Sequence, residues 1–143
     1  MSIKRIMVCL DGSKNSLRGL DKAILFASQT EAMILGVHSD TSFSAFSAVR
    51  APILPEKKWK KKAKELISVA KKKVEKKGIK FEGIVIGGHT SGIDLTTFAN
   101  NPANKIDQIV IGSRGMGFPK EIFFGSTSNF ILHKAKAPVT VVK

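Results

Sequence analysis

The chain reads as an α/β protein in which a parallel sheet carries helices on both faces, and three observations lead there. Short apolar runs alternate with segments of helical period from one end of the sequence to the other. The runs are apolar at successive positions, as strands buried on both sides require. Right-handed crossovers between parallel strands then wind such an alternation into a doubly wound sheet.

Each element follows from its own residues. "IKRIMVCL" (3–10) is the first strand, and the Asp-Gly-Ser behind it is a turn and helix-start signal. Residues 15–29 place Leu17, Leu20, Ala23, Ile24 and Ala27 at helical spacing, and "AMILGVHS" (32–39) is the second strand. Residues 40–56, rich in Ser, Ala and Phe with two prolines, have no clear period and are expected to form a loop or a frayed helix start. Within 57–80, Trp59, Ala63, Leu66, Ile67, Ala70 and Val74 recur every three or four residues, which predicts an amphipathic helix ended by Gly78. "KFEGIVIGG" (80–88) is the third strand, and "DLTTFANN" (94–101) a short helix interrupted by Pro102. "IDQIVIG" (106–112) is the fourth strand, "SNFILHKA" (128–135) the last helix, and "APVTVVK" (137–143) the fifth strand. Pro138 suits the first positions of that strand and not its middle.

Composition bounds the rest. A chain of 143 residues, 43% hydrophobic and with mean hydropathy of +0.02, fits one compact domain over 1–143. No apolar stretch approaches the roughly 18 residues of a membrane span, and "MSIKRIMVCLDGS" lacks the cleavage pattern of a signal peptide, so a cytoplasmic protein is expected. The single cysteine, Cys9, lies in an apolar run and is expected to be a buried thiol. The net charge of +13 is concentrated: twelve lysines and two glutamates fall in 57–80, so +10 of it sits on one helix. A solvated lysine face explains that pattern, and a surface for an anionic partner also would. The one aromatic there, Trp59, belongs to the apolar stripe, so the stacking platform of a single-strand binder is missing and nucleic acid is not favoured.

Chemistry concentrates in "GSRGMGFPKEIFFGSTSNF" (112–130). Ligands of doubly wound sheets sit beyond the carboxyl ends of the strands, where the strand order reverses. Gly112 and Gly115 allow a close backbone approach, and Gly125 leads into a helix whose free N–H groups and dipole favour an anion. Ser126, Thr127 and Ser128 add hydroxyls at the same place. On local chemistry alone, a phosphate cradle and an ordinary glycine loop with a Ser/Thr helix cap both remain open. No G-x-x-x-x-G-K-[ST] loop and no G-x-G-x-x-G after the first strand occur. His38, His89 and His133 are scattered and have no metal-ligand spacing.

The spacing of Gly112, Gly115 and Gly125-Ser126, G-x2-G-x9-G-[ST], resembles the nucleotide-binding signature of the universal stress protein family. "KRIMVCLDGSKNS" is similar to that family's first strand and turn, "IDQIVIGSRGMG" to its fourth strand, and "GSTSNFILHKAKAPVTVVK" to its last helix and strand. The resemblance implies a Rossmann-like fold with strand order 3-2-1-4-5, whose reversal lies between strands 1 and 4, and a homodimer through the final strand. It implies ATP as ligand, with Mg2+ carried on the phosphates. Asp11 would line the adenosine side, Val37 would lie against adenine, and Gly112 and Gly115 would contact ribose and phosphate. Gly125, Ser126, Thr127 and Ser128 would cradle the triphosphate. The chain departs from the family in "HTSGIDLTTFANNPANKID", in Gly36-Val37-His38, and over 40–56.

Arg114, Lys120 and Asp11 could support hydrolysis, yet no motif arranges them into a catalytic set, and binding alone would want the same charges. The sequence therefore favours an ATP-dependent switch or sensor, with slow hydrolysis allowed. The competing expectations are an ATP hydrolase or nucleotidyl transferase on the same fold, and an anionic-partner binder acting through the lysine helix.

Overall fold

A computed structural model of the protein describes residues 2–44, 52–88, 90–113 and 125–143. Five parallel strands, β1 (Arg5–Cys9), β2 (Met33–Ser44), β3 (Phe81–Gly88), β4 (Gln108–Gly112) and β5 (Val139–Val142), form one sheet in the order β3-β2-β1-β4-β5. The helices are α1 (Lys14–Thr30), α2 (Lys61–Glu75), α3 (Ser91–Asn100) and α4 (Ser126–Lys134). The expected fold class and strand order are both observed.

Strand periodicity divides the core in two. Ile6 and Val8 of β1 join Leu20, Ala23 and Ala27 of α1 and Ala63, Ile67, Ala70 and Val74 of α2 on one face. Met7 and Cys9 join Leu35, Val37, Leu95, Phe98 and Ile131 on the other, beneath α3 and α4. The alternate residues of one central strand thus hold both helical layers to the sheet. Because each helix runs antiparallel to the strands, all four helix N-termini lie at the carboxyl edge of the sheet.

Differences from the sequence reading occur at element ends. Residues 45–51 of the segment 40–56 lie outside the described residues, and its described parts are not simply a loop: β2 continues to Ser44, with a register shift between Asp40 and Ser44 opposite Gly87 and Gly88. Further on, Ile53 forms an antiparallel bridge with Ile86, the Leu54 amide donates to the Val85 carbonyl at 2.8 Å, and Leu54 is buried. These residues cover part of the outer edge of β3, a non-local pairing that leaves no period in the local sequence. The lysine-rich helix starts at Lys61, later than 57. Trp59 precedes it, and its Nε1–H donates to the Leu54 carbonyl at 3.0 Å. Gly78 takes φ of +75° just beyond its end. α3 begins at Ser91, earlier than expected, because the Thr90 hydroxyl accepts from the Ile93 amide, and Pro102 opens a short 3-10 turn instead of merely breaking a helix. Among the described residues no helix is long and apolar enough to cross a membrane.

Candidate functional site

At the reversal point, β1 and β4 send their chains to opposite faces and leave a crevice between the turns that follow them. The β1–α1 turn is closed on itself. Gly12 adopts φ of +87°, which a side chain would resist. The Asp11 Oδ1 accepts from the Ser13 amide at 2.8 Å, and the Ser13 hydroxyl accepts from the Ser16 amide at 3.1 Å, capping α1. The Ser16 hydroxyl in turn donates to the Cys9 carbonyl and accepts from the Asp11 amide.

The β4–α4 junction is built differently. Ser113 holds its neck: its carbonyl accepts from the Gly125 amide at 2.6 Å and from the Ser128 hydroxyl at 2.8 Å, and its own amide donates to Val142. The chain therefore returns from residue 125 to the point where it left at 113. α4 starts from Gly125 with no side-chain cap and no acidic residue in its first turn. Among the described residues no carboxylate neutralises the positive end of its dipole, where its first N–H groups lie. Gly112 meets a steric demand of its own, since a Cβ there would lie 2.8 Å from the Asn15 carbonyl carbon and Cβ. α1 packs against β4 through that bare backbone.

Between the turns lies an inner cleft of about 80 Å3, opening into an outer bay of about 430 Å3 with which it shares Asp11, His38, Ser39, Ser91 and Thr127. Of the residues the sequence singled out, Asp11, Gly112, Gly125, Thr127 and Ser128 line the inner cleft. Ser128 is buried there with its hydroxyl hydrogen occupied by the Ser113 and Gly125 carbonyls, so it braces the helix start. Ser126 is exposed in the first turn of α4 and is not among the cleft's lining residues. Val37 is fully buried in the core under α3, and the structure does not bring its side chain to the cleft. Gly115, His89, Arg114 and Lys120 lie outside the described residues.

The sequence reading missed the residue next to Val37. His38 lines both inner cleft and outer bay, with its Nδ1 2.8 Å from the Leu10 carbonyl oxygen. A polar ring directly after the apolar run 32–37 was the available signal. Ser13, Ser16 and Ser91 were also missed; only the Ser13 cap could have been read locally, from the Asp-Gly-Ser turn.

Charges are graded along the cleft. Among the described residues the inner part has one carboxylate, Asp11, beside His38 and Cys9, and burial and the nearby Asp11 charge push the Cys9 thiol up to about 12. That thiol is neutral and unreactive at ordinary pH. The outer bay adds Asp40, Lys60 and Lys62. Partial burial works to raise the Asp40 pKa, but hydrogen bonds from the Ser42 hydroxyl and amide, with the charges of Lys60 and His38, outweigh it and hold the carboxyl below its usual value. Lys60 Nζ also donates to the Ser42 hydroxyl. The leading end of the lysine helix thus overlooks the site, while most of its lysines face solvent.

The model of the universal stress protein family matches residues 2–143. The chain belongs to the universal stress protein family. It is 30% identical to universal stress protein YxiE of Bacillus subtilis over 97% of this chain and 98% of that one. Among solved universal stress proteins, that from Archaeoglobus fulgidus in complex with dAMP is 26% identical, with a TM-score of 0.70 and complete coverage of both chains. The structure of MJ0577 superposes with a TM-score of 0.80 over 100% of this chain and 97% of that one, at 22% identity, a likeness of fold.

Proposed function

We propose that the whole chain acts as one adenine-nucleotide-binding unit, with ATP as ligand, and that occupancy of the cleft is read as a switch. The observation that carries this reading is the uncapped N-terminus of α4 opening on the cleft beside Thr127, at the strand-order reversal. Such a helix start offers N–H donors and a favourable dipole to phosphate. The dAMP complex of the Archaeoglobus fulgidus relative supports an adenine nucleotide as the class of ligand. In this reading Gly125, Ser126 and Thr127 face the phosphates, Gly112 and Gly115 the ribose and first phosphate, and Asp11 the adenosine side. Ser128 acts by holding the helix start in place. Val37 underlies the adenine side from the core, with its side chain buried and its carbonyl accepting from the Leu10 amide.

The donor set fits a magnesium ion borne by the phosphates. Among the described residues no group of three His, Cys, Asp or Glu side chains could hold a metal, and Asp11 is the one carboxylate on the inner cleft. β5 is a sheet edge whose four residues are all partly exposed, and pairing with a second copy there would give the homodimer.

Mass spectrometry of nucleotide released by denaturing the purified protein, with ATP titration calorimetry on wild type and Gly125→Val, tests the reading. Micromolar binding by the wild type, lost in a variant with unchanged circular dichroism, is the expected result. Absence of binding by wild type at millimolar ATP, AMP or dAMP overturns it. Sedimentation of wild type against Val141→Glu tests the dimer edge, with a shift to monomer expected.

A further inference from the structure

We propose that His38 selects the base, its Nε2 accepting a hydrogen bond from the 6-amino group of adenine and disfavouring 6-oxo purines; this rests on the nucleotide reading above. The argument begins at the backbone. A carbonyl oxygen can only accept, so the 2.8 Å contact between Nδ1 and the Leu10 carbonyl places a hydrogen on Nδ1. In the neutral ring Nε2 is then a bare acceptor. The ring is held in this sense because the Leu10 amide is itself anchored, donating to the Val37 carbonyl at 2.8 Å. One residue just past β1, Leu10, thus both continues the strand pairing and sets the tautomer.

Nε2 has no donor among the described residues and is not enclosed, since the ring lines both the inner cleft and the outer bay. Its position along the sheet matches the base and not the phosphate. Phosphate-facing groups belong to the β4–α4 junction, and in the order β3-β2-β1-β4-β5 His38 of β2 lies two strand spacings away across the sheet, roughly 10 Å. A nucleotide lying across the crevice with its phosphate at α4 brings its base to the β2 side. The wall between is apolar at Leu95 and Ile111, as a purine face requires.

The charges around the ring favour a donor as well. Asp11 at the end of β1 and Asp40 on β2 are the anionic groups on this side, while Lys60 and Lys62 of the α2 end stand in the outer bay. An amino group directed at Nε2 meets an acceptor on a wall that also carries the Asp11 carboxylate. A 6-oxo group sets its lone pairs against that of Nε2, leaving a desolvated acceptor unpaired.

The test compares AMP and IMP by titration calorimetry for wild type, His38→Phe and His38→Gln, each checked by circular dichroism. Wild type is expected to prefer AMP by at least tenfold. In His38→Phe, AMP affinity falls to within threefold of IMP, while His38→Gln, which can place an amide oxygen near the Nε2 position, regains part of the preference. In 15N-labelled protein, the ring nitrogen assigned to His38 by its absence from His38→Gln should show the Nδ1–H tautomer, and its Nε2 resonance should move upfield with AMP and not with IMP. Equal AMP and IMP affinities in wild type, or a preference unchanged in His38→Phe, overturns the role of His38 while leaving nucleotide binding in place. Failure of wild type to bind either nucleotide overturns the nucleotide reading itself.

Discussion

Two helix starts border the same cleft and are finished in opposite ways. At α1, Asp11, Ser13 and Ser16 satisfy one another and the backbone, so the turn is complete without a ligand. At α4 the helix begins on a glycine, with no side-chain cap. Side chains of its own turn cap the first helix, while among the described residues no side chain caps the second. A capped N-terminus holds the fold, and an uncapped one beside a cleft is where an anion belongs.

Substitutions can break or sharpen this contrast. The largest effect is expected from Gly112→Val, whose side chain would run into the Asn15 backbone and push α1 off β4. A loss of about 3 kcal/mol is expected from such overpacking, read as a lowered denaturant midpoint. Next is Gly125→Asp, which caps α4 and puts a carboxylate where the phosphate would lie. Its backbone, at φ of −75° and ψ of 165°, accepts the new residue. Stability should stay level or rise by a few tenths of a kcal/mol, while nucleotide affinity falls at least ~10-fold by calorimetry. Opposite signs in the two measurements would show that the missing cap serves the ligand.

Ser13→Ala makes the complementary change at α1. A loss of about 1 kcal/mol in chemical denaturation is expected, with the AMP to IMP preference retained. The smallest effect belongs to a control outside both turns. Lys73 Nζ lies 2.9 Å from Asp21 Oδ1, joining α2 to α1, but both side chains are largely exposed. Lys73→Ala should cost no more than about 0.5 kcal/mol and leave nucleotide binding unaltered.

The strands and most helices were legible because their signals are local: apolar runs, helical spacing, and glycine or proline at the ends. The segment 40–56 was not, because the β2 extension and the Leu54 contact depend on β3, more than 25 residues further on. The site was legible in part for the same reason. Asp11, Gly112, Gly125 and Thr127 stand next to turns that the sequence announces, and all reach the cleft. Val37 and His38 are neighbours on one strand, so alternation sends their side chains to opposite faces, and only the assembled sheet decides which face meets the ligand. Ser128 illustrates a further limit. Its position at the start of α4 was readable, but the carbonyls that occupy its hydroxyl come from the neck of the junction.

That neck, one hydrogen bond between Gly125 and Ser113, makes the stretch it closes a cassette. Lengthening a segment between fixed ends costs little, about 0.6 kcal/mol for each doubling. A change of length between Ser113 and Gly125 is therefore expected to cost the fold little, and an engineer can read its effect on binding separately from its effect on stability.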